Sequence, residues 1–317
     1  MLNIVVLDAY TLNPGDLSWD ALSKLGKLTI YDRTDVTSIV ERCQNADIVL
    51  TNKVPLREAE LRKLPKLKYI VVMATGYNNI DIETTRELHI PVSNVKNYST
   101  SSVAQHVFAM LLNALNRVQY YDDQVKKGAW DRSSDFCFYD SPIRNLEGMR
   151  LGILGYGDIG RKVAHIALSF GMKVLVHSRT KLDYADGVTW VDRDTLFKES
   201  EVLTLHAPLT DETFEIINHS NLNKMKQDIV IINTARGGLV NEKDLYDFLI
   251  ENVNAHACID VLNVEPPDKP SLLFGLKNCS VTPHQAWAGT VARSHLMKGI
   301  EDNINSFIKG QVINRVN

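Results

Sequence analysis

The chain has 317 residues, 44% of them hydrophobic and 23% charged, with a net charge of −3. That length suggests two domains with ample core in each. The charge balance excludes an electrostatic footprint for nucleic acid or an anionic membrane, and no apolar stretch reaches the ~18 residues of a membrane span. In chain order, "NIVVLDA" (3–9) predicts a first strand rather than a signal peptide, since no basic flank precedes it. "ADIVLTN" (46–52) and "LKYIVVMAT" (67–75) predict two more strands, and 55–63 predicts a helix between them. This βα alternation implies a parallel sheet covered on both faces. "SSVAQHVFAMLLNALNRV" (101–118) has a long helical periodicity behind a Ser/Thr cap and predicts the helix that leaves the first domain.

A second βα series begins at "MRLGILG" and continues through "MKVLVHS" (172–178), "EVLTLHAP" (201–208), "DIVIINTA" (228–235), "AHACIDV" (255–261) and "CSVTPH" (279–284). Segment 293–310 predicts a closing amphipathic helix. The fold class is α/β, two doubly wound parallel-sheet domains with a crevice between them. Cys43, Cys137, Cys258 and Cys279 form no CxxC pair. They point to free thiols in a reducing cytoplasm and to no metal site.

"LGILGYGDIGRKVA" (151–164) spaces Gly155, Gly157 and Gly160 as GxGxxG between a strand and a helix. That is the context a dinucleotide-binding turn requires. Gly155 allows the tight turn, Gly157 lets the backbone approach a pyrophosphate, and Gly160 lets helix and strand pack closely. The helix N-terminus offers unpaired N–H groups to the phosphates. An acid at the end of the next strand would hold the ribose 2′-hydroxyl of NAD. The strand ends instead in Ser178, Arg179 and Thr180. Arg179 would attract a 2′-phosphate, with the two hydroxyls donating to it, so NADP(H) is favoured and NAD(H) is the alternative.

Three features fall at later strand ends, where open α/β sheets place ligands. Arg236 in "NTARGGLVNEKDL" could grip a carboxylate with two parallel bonds. Glu265 in "DVLNVEPPD" follows Asp260 and is pinned by two prolines, and His284 in "VTPHQAWAG" follows a proline. Together an Arg to bind an acid, a His to exchange a proton and a Glu to orient that His make a coherent set.

"LGILGYGDIG", "HAPLTDET", "NTARGGLV", "DVLNVEPP" and "TPHQAWA" resemble the motifs of the D-isomer-specific 2-hydroxyacid dehydrogenases over essentially the whole chain. The resemblance implies a Rossmann cofactor domain, 99–286, inserted in a flavodoxin-like substrate domain made of 1–98 plus 287–317, with the active-site cleft between them. It implies that Arg236 holds the substrate carboxylate and carbonyl oxygen, that His284 is the acid or base, and that Glu265 holds the imidazolium. Cofactor contacts would come from Gly155, Tyr156, Gly157, Asp158, Ile159 and Gly160, from Ser178, Arg179 and Thr180, and from His206, Ala207, Pro208 and Thr213. Thr234, Ala235, Arg236, Asp260, His284 and Ala286 would complete them, Asp260 meeting the nicotinamide carboxamide. Thr75, Gly76 and Tyr77 would form the substrate-carboxylate loop, two amides with the Thr75 hydroxyl added.

Within the family, "TNKVPL", "ATGYNNID" and "SSDFCFYDSPI" are most similar to glycerate dehydrogenases, also called hydroxypyruvate reductases. Tyr77 departs from that pattern, standing where a smaller residue is expected. Glyoxylate reductase is the close alternative. A formate dehydrogenase is disfavoured by Glu265, and a phosphoglycerate dehydrogenase by the lack of a basic cluster for a phosphate. Relatives that sense NAD(H) without turning over substrate are the alternative from another class. The expected partners are a small 2-oxo or 2-hydroxy acid and a second copy of the chain, since the aromatic segment 119–148 resembles the family's dimerisation arm.

Overall fold

Ile48–Thr51 reads IVLT and Val230–Asn233 reads VIIN, and every residue of both is buried. Such continuous runs suit strands covered on both faces, and each lies inside a parallel sheet. A computed structural model describes residues 1–179 and 185–317. Two units result: Met1–Ser99 with Ala288–Asn317, and Thr100–Trp287.

In the first unit, β1 (Asn3–Val6), β2 (Lys27–Ile30), β3 (Ile48–Thr51), β4 (Tyr69–Val72) and β5 (Val92–Ser93) are ordered β2-β1-β3-β4-β5. That is the flavodoxin-like winding. Val5, Leu7, Val49, Ile70 and Val72 meet Ile39, Leu61 and Leu64 in one core. The last helix, Thr290–Ile308, belongs to this unit. Its Phe307 stacks on Tyr69 at 4.4 Å, and its buried Asn303 donates to the Asn94 carbonyl.

In the second unit, β6 (Arg150–Leu154), β7 (Lys173–His177), β8 (Val188–Trp190), β9 (Val202–Leu205), β10 (Val230–Asn233), β11 (His256–Ile259) and β12 (Cys279–Val281) are ordered β12-β11-β10-β9-β6-β7-β8. With β6 counted first, this is the dinucleotide-fold order 3-2-1-4-5-6 with one strand added. Successive strand residues point to opposite faces. Leu151 and Ile153 therefore join a core with Val107, Phe108 and Leu111 of the helix Thr100–Asn116 and Val163 of the helix Asp158–Ser169. Leu154, Leu203 and Leu205 join the opposite core with Phe197, Leu245 and Phe248.

The helix predicted over 101–118 runs Thr100–Asn116 and opens the second unit. It stops because Arg117 turns left-handed at φ +51, and a new helix, Val118–Lys126, starts there without burying any residue. The strands β2 and β8 escape the sequence pattern because they are short edge strands of mixed burial, without a full apolar run. Among the described residues, no helix is long and apolar enough to cross a membrane.

Candidate active site

The second sheet reverses its winding between β6 and β9, the place where doubly wound folds bind ligands. Gly155 leaves β6 at φ +96, and a Cβ there would stand 2.6 Å from the Ala207 amide. The glycine turn thus lies directly against the end of β9. A Cβ on Gly160 would stand 2.3 Å from the Gly155 carbonyl oxygen, whereas one on Gly157 would meet nothing within 4 Å. The helix Asp158–Ser169 starts right after Gly157. Its first-turn amides, those of Asp158 and Ile159 included, lack intrahelical acceptors by geometry. Open space beside amide donors and a positive helix end fits a pyrophosphate. Tyr156 is buried under the Arg161 guanidinium, 4.9 Å from the ring centroid.

At the end of β7, the Ser178 carbonyl accepts from Trp190 Nε1 at 3.4 Å, and Arg179 is exposed. Thr180 lies outside the described residues. At the end of β9, His206 Nε2 is 3.0 Å from Thr204 Oγ1, and desolvation pushes its pKa down to about 3. Its imidazole is neutral at physiological pH. Ala207 is buried. Thr213 commits its hydroxyl to its own turn: Oγ1 donates to the Pro208 carbonyl at 2.7 Å and accepts the Thr210 amide at 2.8 Å.

The ends of β10, β11 and β12 carry the titratable groups. Buried Asn233 closes the turn after β10, its Nδ2 donating to the Arg236 carbonyl at 2.8 Å and its Oδ1 accepting the Ala235 amide at 3.0 Å. Arg236 is exposed and donates from Nη1 to the Ala235 carbonyl at 2.7 Å. A Cβ on Gly237 would stand 2.1 Å from the Leu262 carbonyl. The Arg236 turn therefore packs backbone to backbone on the segment that bears Glu265. Thr234 Oγ1 is buried and has no hydrogen-bond partner among the described residues.

Glu265 Oε1 accepts the Leu262 amide at 2.8 Å, and Oε2 accepts from His284 Nδ1 at 2.5 Å. Donating Nδ1–H to the carboxylate leaves Nε2 as the nitrogen for a ligand. His284 has φ +50, a conformation that costs a non-glycine residue about 1–3 kcal/mol and must be held by its surroundings. Asp260 holds it. Its carbonyl accepts the His284 amide at 2.8 Å, its Oδ1 the Gln285 amide at 2.9 Å, and its Oδ2 the Ala286 amide at 3.0 Å. The Asp260 carboxylate is therefore engaged by the loop that follows β12. Glu265 and His284 form a carboxylate-paired imidazole able to move a proton, and the turn after Arg236 packs on the segment before Glu265.

Sequence reasoning missed Asn233, which shapes the Arg236 turn, and Thr282, which donates to Asp260 Oδ1 at 2.6 Å. Both look like ordinary polar residues of strand ends; Asn233 acts within its own turn, and the β11–β12 register brings Thr282 to Asp260. In the first unit, the Gly76 and Tyr77 amides have no partner among the described residues, so they remain available to an anion. The Thr75 hydroxyl differs from expectation: it donates to the Val95 carbonyl at 3.0 Å, so its proton is not free for a substrate carboxylate.

The model of the "D-isomer specific 2-hydroxyacid dehydrogenase, NAD binding domain" matches residues 108–286. A hydroxypyruvate reductase of Blautia hydrogenotrophica is 41% identical over 100% of both chains. A glycerate dehydrogenase of Methylorubrum extorquens is 40% identical over 88% of each chain. Among solved structures, an acyclic imino acid reductase in complex with NADPH and D-Arg superposes with a TM-score of 0.86, at 29% identity and over 100% of both chains.

Proposed function

The chain belongs to the D-isomer-specific 2-hydroxyacid dehydrogenases, and from that premise we propose that it reduces hydroxypyruvate to D-glycerate with NADPH. The family makes it an oxidoreductase that uses a nicotinamide cofactor on 2-oxo and 2-hydroxy acids. The observation that carries the mechanism is the 2.5 Å contact of His284 Nδ1 with Glu265 Oε2, beside the Arg236 turn.

The reduced nicotinamide, when bound, supplies a hydride to the carbonyl carbon. The Arg236 guanidinium grips the substrate carboxylate through parallel N–H bonds and polarises the 2-oxo group. His284, protonated, gives its Nε2 proton to the carbonyl oxygen as negative charge develops there. Glu265 holds the imidazolium through Nδ1–H and fixes the ring orientation. In the reverse direction neutral Nε2 takes the hydroxyl proton. Exposed Arg179, with no acid among the described residues that close β7, supports the choice of NADPH.

A matrix of steady-state assays tests this: hydroxypyruvate, glyoxylate and pyruvate, each with NADH and NADPH. Hydroxypyruvate with NADPH should give the highest kcat/KM, and His284→Ala should lower kcat by about 10²–10⁴-fold. Cofactor oxidation with none of the three acids, or a fully active His284→Ala enzyme, would overturn the proposal. We also propose a homodimer through 119–148, where Trp130, Phe136, Tyr139 and Ile143 are exposed. Light scattering at micromolar concentration should give twice the 35.7 kDa chain mass, and a monomer mass would refute it.

A further inference from the structure

His106 lies on the helix Thr100–Asn116, in a stretch that carries none of the catalytic motifs. Its Nε2 stands 3.0 Å from Thr282 Oγ1 and 3.5 Å from Asp260 Oδ1. The Thr282 hydroxyl has one proton to give. Asp260 Oδ1 at 2.6 Å is a charge-assisted acceptor, and Met110 Sδ at 3.9 Å a weak one. With that proton on the Asp260 side, Thr282 Oγ1 accepts from His106, which sets the Nε2–H tautomer.

The Asp260 side chain has no exposed surface, so its orientation depends on these donors. Its two oxygens hold the Gln285 and Ala286 amides next to His284. From the same helix as His106, Ser102 Oγ donates to the Ala286 carbonyl at 2.7 Å. The left-handed His284 is thus pinned to the helix by a chain of hydrogen bonds that starts at His106. Without the His106 donor, the Thr282–Asp260 pair keeps its charge but loses one of its fixed points. The carboxylate can then turn away from the two amides that set the catalytic loop.

We propose that His106 is a positioning residue for the reaction: through Thr282 it orients the Asp260 carboxylate and so the His284 imidazole. This rests on His284 being the acid–base group.

Five variants of the full chain test it: His106→Leu, His106→Gln, Thr282→Val, His284→Ala and the double variant His106→Leu/His284→Ala. With the 2-oxo acid turned over fastest, His106→Leu and Thr282→Val should lose about 10–100-fold in kcat, the range expected when a catalytic group is misplaced by up to about 1 Å. Their Tm and their NADPH Kd by fluorescence titration should stay near wild type. His106→Gln, which keeps an N–H donor at similar reach, should recover most of the rate. In the His284→Ala background, His106→Leu should cost nothing further, because its effect runs through the missing imidazole.

If His106→Leu does not fold, Thr282→Val removes the link at nearly constant volume and carries the same expectation. A His106→Leu or Thr282→Val enzyme within about twofold of wild type in kcat overturns the proposal. So does an equal loss in the His284→Ala background, which would mean simple packing. A fully active His284→Ala enzyme would instead overturn the site assignment beneath it.

Discussion

In both units the winding of the sheet reverses beside the first strand, between β1 and β3 in one and between β6 and β9 in the other. At that point in the first unit, Asp8 follows β1, and its carboxylate accepts the amides of Asn52 at 2.8 Å, Lys53 at 2.5 Å and Val54 at 3.1 Å. The anion place at the end of β3 is filled by the chain itself. At the equivalent point in the second unit no such side chain stands among the described residues. Gly157 opens on space, and the helix that follows keeps its first amides unspent. Two sheets of the same class therefore differ in whether the amides at the switch point are satisfied internally. Topology offers a ligand site; an unpaired donor set makes it one.

Glycine substitutions should break this comparison most sharply. Gly155→Ala forces a Cβ to 2.6 Å from backbone at φ +96. It should destabilise the fold by about 3 kcal/mol or more, from overpacking plus backbone strain, and abolish NADPH binding. Gly157→Ala meets no protein atom. Its Tm should stay near wild type while the NADPH Kd rises at least about tenfold, or 1.4 kcal/mol. Thermal melts with fluorescence titration separate the two. A Gly157→Ala protein that binds NADPH normally would mean the open space is not where the pyrophosphate lies.

The next largest effect should come from Arg179→Ala. Losing charge-assisted bonds worth about 1.5–3 kcal/mol should raise the KM for NADPH by about 10–100-fold and leave that for NADH nearly unchanged. Equal changes in both would remove the 2′-phosphate from the account. Asp8→Ala should act in the other unit. It leaves three backbone donors without their acceptor, each worth about 1–3 kcal/mol if it stays dry. Because Asp8 is only half-buried and water can enter, a total loss of about 2 kcal/mol is expected in denaturant unfolding, with NADPH affinity unchanged. Unaltered stability would show that water serves those amides as well as the carboxylate does.

Much of this was legible in the sequence because the chemistry sits at strand ends. A buried parallel strand is a continuous apolar run, so "DIVIINTA" and "AHACIDV" announce both the strand and the place where it stops. Arg236 and Asp260 stand at those stops, and GxGxxG announces the turn after β6. The supporting residues were not legible. Asp8, Asn233, His106 and Thr282 are single polar residues whose partners lie from 3 to 176 positions away. Sequence spacing carries no register: the pairing of β1 with β3 brings Asp8 to its amides, and the pairing of β11 with β12 brings Thr282 to Asp260. The Thr75 hydroxyl failed for the same reason: its acceptor is twenty residues on.

The smallest effect sets the two units against each other in acid. Asp8 is held above the usual carboxylate range by desolvation, against the pull of its three amide donors. The folded first unit thus keeps that proton at higher pH than the unfolded chain, and acidification through this range favours folding at Asp8. His256 in β11 works in the opposite sense. Desolvation pushes it down to about 4 from an ordinary 6.5, and its Nε2 lies 3.0 Å from Ser280 Oγ. The fold holds it neutral while the unfolded chain protonates near 6.5. Its stabilising contribution is complete above that pH and is lost as pH falls from 6.5 towards 4. The slope is at most about 1.4 kcal/mol per pH unit for one proton, and solvent reaching the half-buried ring reduces it. His256→Gln, which keeps a polar partner for Ser280, should flatten the decline of unfolding free energy over that window and leave Asp8→Ala behaviour unchanged. An unaltered slope in His256→Gln would assign the acid sensitivity of the second unit to His206, whose imidazole is desolvated still further.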